Sequence, residues 1–366
     1  MSQNILQKYA HLLVHYCLEL KKGEKLYVAT TILAEPLLKE VYREAIRCGV
    51  HVEYQLTFSE QNKIFITEAD SDQLDYVNPF QKEMMATYDA YLVIRAPYNL
   101  REDQNNDAAK TARRMQATQA INQIYSERIA DRSLKRCLCQ YPTQASAQEA
   151  GMSMEEYEHF VFDACKLYDE NPAQSWIEVR KAQQKIVDYL NICDHIQYKN
   201  QHSDIRFNVK DRIWINSDGR SNMPSGEVFT GPVEDTVQGH IYFDYPSIYL
   251  GTEVAGIRLE VENGQVVKWT AEKGQEVLDK VFAMDGARYF GEVAIGTNYN
   301  IQRITKNILF DEKIGGSVHM AVGQSYKQTG GTNNSSVHWD MIADMKQSGE
   351  IVADGKLIYK DGHFLI

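Results

Sequence analysis

"KLYVATTILAEPLLKEVYREAIRCGVHVEYQL", Lys25–Leu56, decides the fold of the first part of the chain. "KLYVAT" has the length and apolar character of a short strand. "EPLLKEVYREAIRCG" carries proline near its start and Gly49 just past its end, the punctuation of a helix. "VHVEYQL" alternates apolar positions, as a strand with one covered face does. A strand followed by a helix and then another strand implies parallel pairing, with the helix laid across the sheet.

Downstream the pattern repeats. "DAYLVIRA" (89–96) is apolar enough for a strand buried on both faces, a long polar helix is predicted from about Asp103 to Asp131, and "LKRCLCQY" (134–141) supplies a further strand. These elements predict a doubly wound α/β domain with a parallel sheet over residues 1–140. Such sheets often hold nucleotides, but the chain has no GxGxxG after its first strand and no GxxxxGK[ST] anywhere. The sheet is expected to be a scaffold.

Upstream, "MSQNILQKYAHLLVHYCLELKKG" repeats Ile5, Tyr9, Leu12, Leu13, Tyr16, Cys17 and Leu20 at helical spacing, which predicts an amphipathic helix docked on the protein. It lacks the basic start, apolar run and cleavage site of a signal peptide, and no later stretch is apolar for long enough to span a bilayer. The six cysteines (17, 48, 137, 139, 165 and 193) show no CxxC spacing and suit reduced core positions. A cytoplasmic location is expected.

Residues 141–193 read as a helical connection, through "SMEEYEHFVFDACKLYD" and "AQSWIEVRKAQQKIVDYLNIC". From 194 to 366 the character changes to short strands, "HIQYKN", "DIRFNV", "RIWIN", "GIRLEVENGQVVKWTAEKG" and "GKLIYKDGHFLI", with turn signals at Asn263-Gly264 and Asp361-Gly362. One helix, about Gly274 to Met284, interrupts them. The expected architecture is thus an α/β domain followed by a β-rich α+β catalytic domain. At 366 residues, 43% apolar and 24% charged, the chain is an ordinary globular protein long enough for two domains. Its formal charge of -11 argues against nucleic acid, which needs a basic face, and none stands out in the sequence.

The β-rich half concentrates ligand-type side chains beside glycine and proline. "SSVHWD" holds His338 and Asp340 two residues apart, on one face of an extended segment. "NMPSGEVFTGP" places Glu227 on what reads as a shaped loop. "YFGEVAIGTN" sets Glu292 between Gly291 and an apolar strand, and "LFDEKIGGSVHMAVGQSY" carries Asp311, Glu312, His319 and Tyr326. Each has a purely structural reading: a polar strand face for His338 and Asp340, a solvated edge for Glu292, a turn brace for Glu227, core packing for His319 and Tyr326. Their joint occurrence favours a metal site. Oxygen and imidazole donors without thiolate suit zinc, cobalt, manganese or magnesium. Six donors exceed the need of one ion and fit two ions about 3.5–4 Å apart, bridged by a carboxylate and a hydroxide. There is no HExxH and no GxSxG, which removes the thermolysin-type and serine-hydrolase schemes.

The motifs "NMPSGEVFTGP", "GEVAIGTN", "FDEKIGGSVHMAVGQSY" and "HWD", with "PTQASAQEAGMSMEEYEHFVFDAC" (142–165), closely resemble those of the M29 metallopeptidases, the aminopeptidase T and aminopeptidase S type. The resemblance implies removal of N-terminal residues from short peptides by two divalent cations, in a homodimer that encloses its active sites. It implies Glu227, Glu292, Glu312, His319, His338 and Asp340 as ligands, with Asp311 competing for the place of Glu312. Glu292 would bridge, with His338 and Asp340 on one ion and Glu227 with His319 on the other. Glu227 and Glu292 are the candidates for proton transfer, and Tyr326 stands where the family has a tyrosine near the metals. The alternatives are a dinuclear hydrolase of another amide or an ester, and a non-catalytic binding protein stapled by metal.

Overall fold

The computed structural model describes residues 3–249 and 251–366. The chain forms two compact units, one of residues up to 173 with 219–224, the other of 174–218 with 225–366. Segment 141–193, read from sequence as a helical connection, contributes helices Gln144–Glu149 and Met154–Ala164 to the first unit and most of Pro172–Leu190 to the second.

The first unit is built on a parallel sheet of five strands, in the order His51–Thr57, Lys25–Thr31, Ala90–Arg95, Lys135–Gln140 and Asn222–Met223. Helix Glu35–Arg47 makes the first crossover, with Pro36 in its first turn and Gly49 at φ +74° beyond its end. Strand Ala90–Arg95 alternates buried Ala90, Leu92 and Ile94 with half-buried Tyr91 and Val93, so it is not covered equally on both faces. Strand His51–Thr57 lies at the sheet edge and is mostly exposed, Tyr54 and Leu56 included. The long polar helix expected from Asp103 is instead two, Ala108–Ala117 and Gln119–Ala130. Asp107 caps the first by accepting from Lys110 N at 2.9 Å. At the break, the Thr118 hydroxyl donates to the Arg114 and Met115 carbonyls, a back-bond that bends helices. The N-terminal amphipathic segment is helical over Gln3–His11 and continues as a wider π-helical turn, Leu12–Cys17.

Among the described residues, and besides the short ribbon of Ser247–Tyr249 with Thr252–Val254, the second unit holds two antiparallel sheets. The larger orders its eight strands Gln265–Thr270, Ile257–Glu262, Gln238–Phe243, Asp204–Asn208, His195–Lys199, Glu350–Ala353, Lys356–Lys360 and His363–Phe364. Its Asn263-Gly264 hairpin has both turn residues at positive φ, and a Cβ on Gly264 would fall 2.0 Å from the Glu234 carbonyl oxygen. The smaller sheet orders five strands His338–Asp344, Ser317–Gly323, Phe290–Gly296, Glu227–Thr230 and Ile215–Ser217. One apolar cluster draws on both sheets: Ile205, Phe207, Ile241, Leu259 and Ile351 from the larger, Val293, Ile295, Val318, Met320, Val322, Trp339 and Met341 from the smaller. Helix Gln275–Phe282 adds Leu278, Val281 and Phe282.

Candidate metal centre

The five-stranded sheet explains how distant residues meet. Side chains alternate along a strand, and residues paired across strands share a face. In strand Ser317–Gly323, Val318, Met320 and Val322 enter the apolar core, so His319, Ala321 and Gly323 face the other way. Ala321 pairs with Asp340 on one side and Glu292 on the other; Gly323 pairs with His338. His319 pairs with Ala294, Ala294 with Phe229, and Gly296 with Glu227. Register alone therefore puts Glu227, Glu292, His319, His338 and Asp340 on one face. Between them stand Ala294, Gly296, Ala321 and Gly323, whose small size leaves room above the sheet, with the larger Phe229 and Ile342 at its sides.

The donor atoms converge. His319 Nε2 lies 3.5 Å from Glu292 Oε1 and 3.6 Å from Glu227 Oε2. His338 Nε2 lies 3.3 Å from Glu292 Oε2 and 3.4 Å from Asp340 Oδ1. Three triads each have donor atoms within 4.8 Å of one another: Glu227–Glu292–His319, Glu292–His338–Asp340 and Glu312–His319–Asp340. Glu292 belongs to the first two, one carboxylate oxygen toward each histidine. Asp311 is turned elsewhere; its Oδ1 accepts from Thr305 N and Oγ1, both at 2.8 Å. Glu227, expected on a loop, opens the strand Glu227–Thr230, because its pairing with Gly296 and Ser217 extends the sheet to that residue. Tyr326 is half-exposed, with its ring 5.2 Å from His338 and 5.6 Å from Phe229.

Some buried polar atoms here lack partners. Both ring nitrogens of His319 and Glu227 Oε2 are buried without a hydrogen bond, a costly condition for groups sheltered from water. A bound cation would relieve it. His338 Nδ1 sits 2.8 Å from the Gln324 carbonyl, which fixes the ring and turns Nε2 toward the carboxylates. The donor set, acidic and imidazole without sulfur, fits divalent cations.

Electrostatics point the same way. Burial would depress the His338 imidazole, but Asp340 and Glu292 outweigh it and push its pKa up to about 12. Burial likewise opposes protonation of His319, yet Glu292 and Glu227 raise it to about 9. Burial pushes Asp340 and Glu292 up, but the histidines hold both below the usual carboxylate range, Asp340 at about 2. Burial raises Glu312 to about 8, against the pull of Lys313. The protons thus rest on the imidazoles, where they supply positive charge to an acidic cavity.

Sequence reasoning missed Lys313. It is wholly buried, 3.3 Å from Glu227 Oε1 and in contact with Glu312 Oε1. The signal was present in the adjacent Glu312-Lys313 pair, but nothing local says that a lysine will be buried. Gln183 was missed too. Its Nε2 donates to the Asn216 side chain at 2.7 Å and to the Ser217 and Glu227 carbonyls at 3.0 and 3.1 Å, and its Oε1 accepts from Thr297 Oγ1 at 2.9 Å. It braces the two strands that begin and end at the cluster.

Comparison with known proteins gives the family of the chain. Residues 2–364 match the family model described as thermophilic metalloprotease (M29). Aminopeptidase 2 of Geobacillus stearothermophilus is 28% identical in an alignment covering 98% of this chain and 97% of the relative. Aminopeptidase T of Thermus thermophilus is 31% identical over 55% of each chain. The solved structure of wild-type AmpT from Thermus thermophilus superposes over 100% of both chains with a TM-score of 0.86 at 24% identity, a likeness of fold. Family membership replaces the non-catalytic, metal-stapled alternative with an enzyme that hydrolyses peptides. The chain whose five-stranded antiparallel sheet builds this acidic, histidine-bearing face belongs to the M29 family of metallopeptidases.

Proposed function

We propose that the protein is a metal-dependent aminopeptidase that removes the first residue of short peptides with a free N-terminus, using two divalent cations. The observation that carries this reading is the sharing of Glu292 between two donor triads, as a bridging carboxylate requires. Glu227 and His319 would hold one ion and His338 with Asp340 the other. Glu312, grouped with His319 and Asp340, completes the set. Zinc, cobalt and manganese suit these donors, and magnesium is compatible with the carboxylates. Such a pair would supply Lewis acidity to the scissile carbonyl and would lower the pKa of a bound water.

The chain's own groups supply the rest. Burial and the carboxylates around it push the Tyr326 hydroxyl well above its ordinary pKa, so it stays protonated and can donate to the developing oxyanion. Glu292 belongs to two donor triads and would be engaged by both cations, whereas Glu227 belongs to one. Glu227 is therefore the better placed of the two to take a proton from water and pass it to the leaving amine. The free α-amine would be read by an ion or an acidic side chain. We further propose a homodimer as the working form, in line with the M29 resemblance, and a cytoplasmic setting that suits six cysteines free of disulfides. Among the described residues no helix is long and apolar enough to cross a membrane.

The test is metal analysis of the purified protein alongside cleavage of free and N-blocked dipeptides. Two equivalents bound at the cluster and turnover of free dipeptides alone are expected. His338→Ala should abolish turnover and weaken metal retention; full activity in that variant, or cleavage of blocked substrates, would refute the reading.

A further inference from the structure

A second constellation of metal-ligating side chains lies in the first unit, and its residues take no part in the peptidase site. His11 and His15 stand one turn apart, with ring centroids 4.2 Å from each other. Both address one oxygen of Glu44 on helix Glu35–Arg47: His11 Nδ1 at 3.2 Å and His15 Nε2 at 2.8 Å from Oε1. The donor atoms of these three residues lie within 4.8 Å of one another. Cys48, four residues after Glu44, brings its Sγ to 3.6 Å from His15 Nε2. Two pairs at i,i+4 spacing on neighbouring helical segments thus supply two imidazoles, a carboxylate and a thiol.

We propose that His11, His15, Glu44 and Cys48 form a binding site for a zinc-class divalent cation. Tetrahedral zinc with bonds of about 2.0–2.1 Å to nitrogen or oxygen and about 2.3 Å to sulfur sets donors about 3.3 Å (N to O) and about 3.6 Å (N to S) apart. The His11–Glu44 and His15–Cys48 separations meet those values; on binding the His15–Glu44 contact lengthens, and the Cys48 thiol, which stands outside the three-residue group, closes on Glu44. Arg47 lies 3.6 Å from Oε2 of Glu44, which leaves Oε1 to the cation.

The local backbone supplies an independent observation. His15 lies within the π-helical turn Leu12–Cys17, where Leu18 N donates to Leu13 O at 3.0 Å. Such turns are rare and recur at functional sites. The thiol loses its proton to solvent when the sulfur–metal bond forms, and no change of oxidation state is involved. The cation would tie the N-terminal helical segment to the helix that makes the first crossover.

Sulfur separates this site from the peptidase cluster, whose donors are nitrogen and oxygen. The experiment loads full-length protein with cobalt(II) and with zinc, in the wild type, the double variant His11→Ala/His15→Ala, and Cys48→Ser. The wild type should bind one more zinc per chain than the double variant, and both should hydrolyse dipeptides equally. The cobalt form should show a near-ultraviolet thiolate charge-transfer band that Cys48→Ser removes. Equal zinc content in wild type and double variant, or no thiolate band in the wild type, would overturn the assignment. Should the double variant fail to fold, the cobalt band in wild type against Cys48→Ser decides the matter alone.

Discussion

His338 and Asp340 show what one residue can announce: two positions apart in a strand, they share a face whatever the rest of the chain does. What a residue cannot announce is its neighbours' charge. With His319 raised to about 9, His338 to about 12 and Glu312 to about 8, the metal-free site holds protons at neutral pH that a cation must displace. Zinc binding at pH 7 is expected to release protons, and its affinity should climb as pH rises toward 9; calorimetry in buffers of different ionisation enthalpy measures this. The same shifts act on folding. A histidine whose folded pKa is raised stabilises fully below its unfolded value and loses that contribution as pH rises through the folded one. Metal-free protein should therefore lose stability between pH 7 and 9, and raised Glu312 acts in the same direction over about 4.5 to 8. Denaturant titrations of metal-free protein at both pH values check the sign. Lys313 offers a second residue-scale prediction. Replacing it with methionine leaves Glu227 and Glu312 without their buried cation, a change that costs about 3–5 kcal/mol where one partner of a buried pair is removed. Urea unfolding of metal-free Lys313→Met should show that loss.

At the scale of the element, the decisive feature is the period of two in "GEVAIG", "SVHMAVG" and "HWDMIAD". Each sends apolar side chains to the core, while its other face carries proposed ligands, Glu292 and His319 among small residues and His338 with Asp340 beside Ile342. Filling that small face should remove the ions and keep the sheet. Ala321→Leu, between Asp340 and Glu292 in register, is expected to lose metal and activity at an overpacking cost of about 1–3 kcal/mol; metal content with a circular dichroism spectrum separates the two effects. Gly291 works through a neighbour. A Cβ there would stand 2.3 Å from the Gln324 carbonyl oxygen, the group that orients His338. Gly291→Ala should weaken metal retention about 10–100-fold, the range for disturbed partners of a ligand, as dialysis against a competing chelator would read. Where the sequence misled at this scale, a side chain or a strand partner was the reason. Thr118 breaks one helix into two through a bond to its own preceding turn. Pairing with Gly296 and Ser217 draws Glu227 out of a glycine- and proline-flanked segment into a strand.

For the whole molecule, the apolar cluster of the second unit lies on the opposite face of the small sheet from the proposed ligands and does not depend on them. Chelation is therefore expected to stop peptide hydrolysis without unfolding, lowering stability only by binding linkage, about 2.7 kcal/mol per site at a cation concentration 100-fold above Kd. Loss of the far-ultraviolet spectrum on chelation would contradict it. The chain alone determined the parallel sheet of the first unit, the β-rich second unit and the donor types that exclude thiolate chemistry at the peptidase cluster. Those follow from periodicity and composition, which are local. Only the tertiary structure decided that Glu312 rather than Asp311 joins the cluster, that Lys313 is buried inside it, and that His11 and His15 meet Glu44 across two helical segments. Each depends on where a strand or helix is placed by packing far along the chain, and distance in space leaves no mark in local spacing.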